Sequence, residues 1–287
     1  MWNPFNRNTI SNASASKRSL QLITQKGMPF AYVEAYKALR TNLNFLSGSG
    51  DVHAFVVTST VPEEAKSNVS VNLALALTES GKKVVLVDCD LRKPVLHRYL
   101  KAGHNLKGVS NVLSRQVALS DALVEPKGIP NLTFLPAGTT PPNPSELLSQ
   151  PQMQEMVDTL RGSYDFVILD APPISMVTDA AVIGRIVDGA LFVVRSKYAS
   201  TDAVKTALEK LQDAGVKVLG AVLTRYDAKK SLKRSDYGYG YYYYNSNYSY
   251  GPPPDGISES AAKKSGLTSK KQHNGKEKHS VHTEDEA

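Results

Sequence analysis

The chain has 287 residues, enough for one large α/β domain with tails or for two small domains, and its composition (41% hydrophobic, 21% charged) is that of an ordinary soluble globular protein. A single cysteine, Cys89, excludes an intrachain disulfide, and no apolar run approaches the roughly 18–20 residues that span a bilayer. The formal net charge of +7 favours an acidic partner (phosphate, nucleic acid or an anionic membrane), unless it reflects only a lysine-rich surface.

Residues 1–29 are rich in Ser and Asn and contain Lys and Arg but no acid, so we expect a flexible basic arm. The first ten residues, MWNPFNRNTI, lack the apolar segment of a secretory signal. We therefore expect a cytoplasmic chain, held at the inner face of the cell membrane only through a partner.

The segment AYVEAYKALRTNLNFL repeats apolar residues at helical spacing, which predicts a helix. Glu34, Lys37 and Arg40 lie three residues apart on another face of it. They form either a solvated face with a Glu–Lys pair worth a few tenths of a kcal/mol, or a contact surface for a neighbouring subunit.

Six short apolar runs predict β-strands. They are residues 54–58, 83–88, 132–135, 165–170, 190–194 and 216–223, and helical patterns lie between them at 66–80, 144–160, 176–186 and 201–214. Apolar strands that alternate with helices indicate an α/β fold with a parallel β-sheet flanked by helices on both faces. We assign this three-layer sandwich to residues 30–226.

The stretch between the first strand and its helix has the order of a phosphate loop, which requires G-x-x-x-x-G-K-[ST]. Thr60 and Ala65 occupy the two glycine positions, so only Lys66 and Ser67 of the strict motif remain. By spacing alone, a plain strand–turn–helix is an equally good interpretation.

Aspartates at the ends of two other strands favour a nucleotide site. Asp88 and Asp90 follow one buried run and Asp170 ends another, and ligands of parallel sheets bind beyond the carboxyl ends of the strands. A carboxylate there can hold Mg²⁺ or accept a proton from an attacking hydroxyl. Each aspartate alone could be a helix cap or a turn residue, but three at the same edge, beside a Lys-Ser loop, predict a nucleotide site.

The composition changes after about Arg225, where a basic cluster leads into a tyrosine-rich segment at 227–250 and a polar tail at 251–287. We expect the tail to be disordered because it has almost no large apolar residues. The segment contains eight tyrosines: Tyr237, Tyr239, Tyr241, Tyr242, Tyr243, Tyr244, Tyr248 and Tyr250. They are either phosphate acceptors or an adhesive low-complexity tract.

Residues from about 30 to 250 resemble the bacterial protein-tyrosine kinases of capsular and extracellular polysaccharide synthesis, in their split, cytosolic form. The matching motifs are EAYKALRTN, STVPEEAKSN, VNLA, KVVLVDCDLRKP, LPAGTTPPNPSELL, YDFVILDAPP, VVRSKYAST and the tyrosine cluster. The resemblance implies a P-loop ATPase fold and an ATP-dependent tyrosine autokinase that regulates polysaccharide synthesis and export.

The resemblance also implies roles for single residues. Lys66 and Ser67 would bind the β/γ-phosphates and Mg²⁺, Asp88 with Asp90 would lie near the metal and the attacking tyrosine, and Asp170 would orient Mg²⁺. Nucleotide contacts are expected along the whole loop and at the end of the last strand. Those residues are Thr60, Glu64, Ala65, Lys66, Ser67, Asn68 and Thr224.

The partners that the resemblance implies are a membrane-spanning activator and chain-length regulator, a tyrosine phosphatase and further copies of this chain. In relatives, rings form in which the tyrosine tail of one subunit enters the site of the next. The Glu34–Lys37–Arg40 spacing resembles the contact motif of those rings, with lysine where arginine is usual. No nucleic acid is expected.

Three residues depart from the family pattern. Ala65 replaces a glycine and costs ~1–2 kcal/mol if that position needs a positive φ. Glu63 replaces another common glycine and, beside Glu64, adds negative charge near the triphosphate. Thr224 stands where relatives often have an asparagine that reads the base.

These departures keep two other functions open. One is a non-catalytic adaptor of the export machinery that barely binds nucleotide. The other is a partition-type ATPase, which the basic charge favours, but which the tyrosine cluster and a missing lysine near the start of the loop disfavour.

Overall fold

The computed structural model describes residues 21–48, 52–103 and 105–226. The first twenty residues of the predicted arm, the eight tyrosines and the predicted tail lie outside the described residues, so those predictions stay predictions.

Six parallel strands form one sheet with the order β3-β2-β4-β1-β5-β6. Their bounds are β1 Ala54–Ser59, β2 Val84–Asp88, β3 Leu132–Leu135, β4 Phe166–Asp170, β5 Ala190–Arg195 and β6 Val218–Thr224. Each predicted run is a strand within two residues of its expected bounds. Every residue of β1, β2 and β4 is buried, because these strands lie inside the sheet with helices above and below.

Nine helices of the described part cover the two faces of the sheet. They are α1 Phe30–Gly48, α2 Lys66–Glu79, α3 Leu96–Tyr99, α4 Val109–Leu113, α5 Leu119–Ala122, α6 Pro144–Leu148, α7 Pro151–Arg161, α8 Asp179–Gly184 and α9 Thr201–Asp213. Successive strand residues point to opposite faces, so Phe55 packs in the core under α1 and α2, whereas Val56 packs in the core under α7, α8 and α9. Within the described chain, no helix combines the length and apolarity needed to cross a bilayer.

The predicted helix at 144–160 is wrong as a single element, because α6 ends at Leu148 and α7 begins at Pro151. Proline has no N–H and its ring clashes with the carbonyl four residues earlier, so it starts a helix and does not continue one. The predicted helix at 176–186 is also shorter in the structure, where α8 covers Asp179–Gly184 only.

Two glycines allow the chain that leaves β3 to pack closely against the segment before α4. A Cβ on Gly108 would lie 1.9 Å from the carbonyl oxygen of Pro136, and Gly138 has a φ of +84°. Both positions therefore require glycine. Gly138 is the last residue of the LPAG sequence at this turn.

Asp188 links the amino end of β1 to the end of α7. Its carboxylate accepts the backbone N–H groups of His53 (2.7 Å) and Ala54 (2.8 Å), and the Arg161 guanidinium lies 2.8 Å away. Burial alone would raise the pKa of Asp188, but the Arg161 hydrogen bond and the two N–H groups outweigh it and lower that pKa. Its stabilisation is therefore present above the unfolded pKa of about 4 and is lost as pH falls through the lower folded value.

The substitution Asp188→Asn is expected to lower the free energy of unfolding at pH 7 by about 1–2 kcal/mol, a value at the low end for hydrogen bonds to a charged group because the site is partly exposed. Urea unfolding followed by circular dichroism measures it. The difference from wild type should shrink below about pH 4, where the wild-type carboxylate also becomes protonated. Asp158→Asn on the exposed face of α7 is the control, and an equal loss in both variants would contradict the assigned role.

Candidate active site

The phosphate loop (residues 60–67) joins the end of β1 to the first turn of α2. Ala65 is the residue before α2 and has a φ of +73°, and Glu63 has a φ of +71°. Positions 63 and 65, where the family resemblance implies glycine, are therefore both left-handed. Ala65 thus occupies a position that needs a positive φ. Each left-handed non-glycine residue costs about 1–2 kcal/mol.

Glu64 lies between these two residues and is only 1% exposed. Its carboxylate accepts the backbone N–H groups of Val61 (2.9 Å) and Arg195 (3.1 Å), and its carbonyl accepts the Thr224 hydroxyl (2.9 Å). The charge of Glu64 is thus solvated by two amides of the protein. Thr224, which the sequence placed among the nucleotide contacts, donates its hydroxyl to the loop backbone.

Lys66, Ser67 and Asp170 form a hydrogen-bonded group at the start of α2. Lys66 Nζ lies 3.1 Å from Asp170 Oδ2 and 3.3 Å from Ser67 Oγ, and Ser67 Oγ donates to Asp170 Oδ2 over 2.6 Å. Asp170 is fully buried at the end of β4. These three residues meet because β4 lies beside β1, so that the end of β4 faces the helix that follows β1.

Asp88 and Asp90 complete this group from β2. The parallel register pairs Asp88 with Asp170, and Asp90 Oδ2 lies 3.2 Å from Lys66 Nζ. Asp88 accepts the backbone N–H groups of Asp90 and Leu96, both over 3.2 Å. The predicted convergence of the three aspartates at one edge of the sheet is what the structure contains.

The group has more buried negative than positive charge. Burial and the neighbouring Asp170 raise the pKa of Asp88 to about 8, and Lys66 only partly offsets this. Burial would lower the pKa of Lys66, but the charges of Asp170, Asp90 and Asp88 outweigh it and raise that pKa. Lys66 therefore stays protonated beside the carboxyl groups of Asp88, Asp90 and Asp170, and the site favours one more positive charge.

The other predicted contact residues lie at the margins of this group. Thr60 is fully buried, and its hydroxyl has no hydrogen-bond partner among the described residues. Asn68 points to α1: its side-chain oxygen accepts the hydroxyl of Tyr32 (3.0 Å), and its amide donates to the carbonyl of Gln21 (2.8 Å). In the structure Asn68 therefore joins α2 to α1.

Two sets of polar contacts were missed by sequence reasoning. Ser70 donates its hydroxyl to Asp170 Oδ1 over 2.9 Å, and its spacing of three from Ser67 on one helix face could have indicated this. The buried Asp179 pairs with Arg92 Nε at 3.2 Å and also accepts the hydroxyl of Ser145. No sequence signal joins residues so far apart, yet this pair links the loop after Asp90 to α6 and α8.

The predicted subunit-contact residues of α1 divide between two environments. Lys37 pairs with Glu34 at 2.7 Å, with both side chains partly exposed. Arg40 Nη1 donates to the carbonyl of Ala76 over 2.9 Å, so it holds α1 against α2.

The donor set fits Mg²⁺ better than a metal held wholly by protein. No cluster of three or more His, Cys, Asp or Glu arranged to hold a metal occurs in the described part of the chain. Mg²⁺ uses one or two carboxylates with substrate phosphates and water, and Ser67, Asp88 and Asp170 supply such oxygens. Three buried carboxyl groups beside the single ammonium group of Lys66 are the observation that supports a cation here.

A comparison with protein families matches residues 64–218 to the AAA domain. Among curated proteins, tyrosine-protein kinase YwqD of Bacillus subtilis (strain 168) is 37% identical over 205 residues, which cover 71% of this chain and 84% of that protein.

Two solved structures show similar folds. The crystal structure of the chimerical protein CapA2B2 aligns with a TM-score of 0.66 and 35% identity, over 71% of this chain and 88% of that one. The septum site-determining protein MinD of Pyrococcus horikoshii OT3, complexed with Mg-ADP, aligns with a TM-score of 0.53 and 26% identity, over 61% of this chain and 71% of that one.

Proposed function

The chain belongs to the bacterial tyrosine-protein kinases, as its sequence motifs predicted, and we propose that it transfers the γ-phosphoryl group of ATP to tyrosines of its own C-terminal cluster. The observation that carries this proposal is the group of Lys66, Ser67 and Asp170 beside Asp88 at the strand ends. A lysine, a hydroxyl and buried carboxylates around one loop are the parts that phosphoryl transfer uses.

In this reaction the tyrosine oxygen attacks the γ-phosphorus, the bond to the β–γ bridging oxygen breaks, and ADP leaves. Lys66 neutralises charge on the β/γ-phosphates, and Asp88 or Asp90 accepts the proton of the tyrosine hydroxyl. Asp170 orients Ser67 and Lys66 through the hydrogen bonds described above. Mg²⁺, held by Ser67, Asp88 and Asp170, would offset the negative charge of the phosphates when bound.

The biological role we propose is regulation of capsular or extracellular polysaccharide synthesis and export. A membrane-spanning regulator would activate the kinase at the inner face of the membrane, and a phosphatase would reverse the reaction. Copies of the chain would assemble as a ring through α1, so that each tail reaches a neighbouring site. Each phosphate adds about −1.5 to −2 charges, so several would drive the tails and the ring apart.

Incubation with labelled ATP and Mg²⁺ tests the proposal. We expect label on tyrosine, increased by the cytosolic end of the membrane regulator. A variant with all eight cluster tyrosines replaced by phenylalanine is the matched control and should lose the label while remaining folded. No phosphotyrosine in either condition would refute the kinase activity.

A second candidate function is the non-catalytic adaptor, which the left-handed Glu63 and Ala65 favour. Together their strain opposes the loop conformation that binds phosphate. Calorimetric titration with ATP and Mg²⁺ separates the two functions: micromolar binding supports the kinase, and millimolar or absent binding supports the adaptor.

The substitution Ala65→Gly is expected to raise the affinity for ATP and Mg²⁺ about 5- to 30-fold. Glycine takes a φ of +73° without the ~1–2 kcal/mol penalty of alanine, and it removes a methyl group beside the phosphate. Calorimetry measures the change. The control is Ala214→Gly at the end of α9, where the alanine is partly buried and has a φ of −75°. An unchanged affinity in Ala65→Gly would show that this strain does not limit binding.

A further inference from the structure

The phosphate loop has a left-handed backbone at positions 63 and 65 although neither residue is glycine. Glu63 and Ala65 are left-handed non-glycine residues on either side of Glu64. Such residues persist only where the surrounding structure holds them in place. The contacts that hold this loop therefore bear on how well it receives phosphate.

Those contacts come from the ends of the two strands beyond β1. Arg195 ends β5, Thr224 ends β6, and the register pairs them with each other. The Thr224 hydroxyl donates to the carbonyl of Glu64 over 2.9 Å, and the Arg195 backbone N–H donates to the Glu64 carboxylate over 3.1 Å. Arg195 Nη1 also reaches the carbonyl of Glu63 at 3.4 Å. We call Glu64, Arg195 and Thr224 the loop clasp.

The clasp fixes the peptide plane between Glu64 and Ala65. In a trans peptide the C=O and the next N–H point in opposite directions. Because the Glu64 carbonyl points to Thr224, the N–H of Ala65 points away from β6. Backbone N–H groups turned inward are how a phosphate loop binds its anion.

We propose that Thr224 is a positioning residue, whose hydroxyl holds the phosphate loop in its phosphate-binding conformation and so offsets the missing glycines. The proposal rests on the proposed nucleotide-dependent function. It gives Thr224 a role different from base reading: the residue acts on the affinity for the phosphate part of any nucleotide and leaves the choice between bases unchanged.

The decisive variants are Thr224→Val, which keeps the shape but removes the donor, and Thr224→Ser, which keeps the donor. Each is made with Ala65 and with Gly at position 65. Amide hydrogen exchange of residues 63–67 in the nucleotide-free protein reports the loop, and calorimetry with ADP and Mg²⁺, then GDP and Mg²⁺, reports binding.

With Ala65 present, Thr224→Val should speed exchange of these amides and weaken ADP binding, each about fivefold, the effect of one net hydrogen bond. Thr224→Ser should match wild type, and the ratio of ADP to GDP affinity should not change. With Gly at position 65 the loop no longer needs the hydroxyl, so Thr224→Val should alter both readouts less than twofold.

The proposal is overturned if Thr224→Val leaves loop exchange unchanged, or if its effect is equal with Ala and with Gly at position 65. A change confined to the ADP/GDP ratio would instead make Thr224 a base reader. If the wild-type chain binds no nucleotide, the proposed function fails, and the exchange data still decide the role of Thr224.

Discussion

Replacing Lys66 by methionine is expected to lower the rate of tyrosine phosphorylation about 10²–10³-fold, the usual loss when one preorganised charge is removed from a reacting centre. Lys66 Nζ lies 3.1 Å from Asp170 and 3.2 Å from Asp90 and has only 11% of its side chain exposed. It is the ion-pair partner of both carboxylates, so no neighbouring cation in the described chain takes over its place. Phosphotyrosine formation at saturating ATP measures the effect.

The same substitution leaves buried carboxylates without their cation, which destabilises the fold by about 3–5 kcal/mol in comparable cases. A double variant, Lys66→Met with Asp90→Asn, removes part of that imbalance and shows whether the loss of activity remains in a folded protein; Asp90→Asn alone measures the part of the loss that is due to Asp90. The double variant should recover thermal stability relative to Lys66→Met but not activity.

The control for the loss of a lysine is Lys83→Met, an exposed residue that precedes β2 at the opposite edge of the sheet. It should keep full activity. If the double variant is folded and active, Lys66 is not the phosphate-binding residue that we propose.

The strands and the three aspartates could be predicted because each depends on local sequence. Runs such as FVIL, before Asp170, are apolar at every position, which occurs where both faces of a strand are covered. Once the sheet is parallel, the ends of its strands share one edge, so Asp88 and Asp170 are expected at that edge. Their direct pairing depends in addition on β2 and β4 being neighbours, which only the structure shows. Pro151 also indicates the break between α6 and α7, because proline inside a helix removes a backbone hydrogen bond and clashes with the preceding turn.

The loop clasp could not be predicted, because its members are separated by long stretches of chain. Thr224 and Glu64 are 160 positions apart and touch only since β6 lies two strands from β1. The same holds for the pair of Arg92 and Asp179, 87 positions apart. The resemblance places Thr224 where relatives often have a base-reading asparagine, and only the fold reveals that its hydroxyl is donated to the loop.

The stability of the metal-free protein is expected to fall as pH rises from about 5 to 8, because of Asp88. Burial and the charge of Asp170 raise the folded pKa of Asp88 to about 8. The unfolded value is near 3.9, so between the two values the folded protein holds a proton that the unfolded chain has released. The contribution is complete below about pH 4 and is lost as pH rises through 8.

The other resolved shifts among the described residues act outside this window. The lowered pKa of Asp188 matters below about pH 4. The raised pKa values of Cys89, Lys66 and three tyrosines (Tyr32, Tyr36 and Tyr99) matter above about pH 9. Asp88 is therefore expected to dominate the slope, which for one proton reaches at most about 1.4 kcal/mol per pH unit.

Urea unfolding in EDTA at intervals between about pH 5 and 9 measures this slope. Asp88→Asn should flatten it, whereas Asp202→Asn on the exposed surface of α9 should not. The slope is the useful readout, because asparagine also loses one of the two N–H contacts that Asp88 accepts. A slope that survives Asp88→Asn would place the titrating proton elsewhere.

The proton of Asp88 should be released when nucleotide and Mg²⁺ bind. A cation near Asp88 favours the carboxylate, so binding below pH 8 is expected to release up to one proton per site and to strengthen as pH rises toward 8. Titrations at about pH 6.5 in two buffers of different ionisation enthalpy measure that proton, and Asp88→Asn should abolish its release. Binding without proton release would mean that Mg²⁺ does not bind next to Asp88. Asp170 would then be the carboxylate that holds the metal.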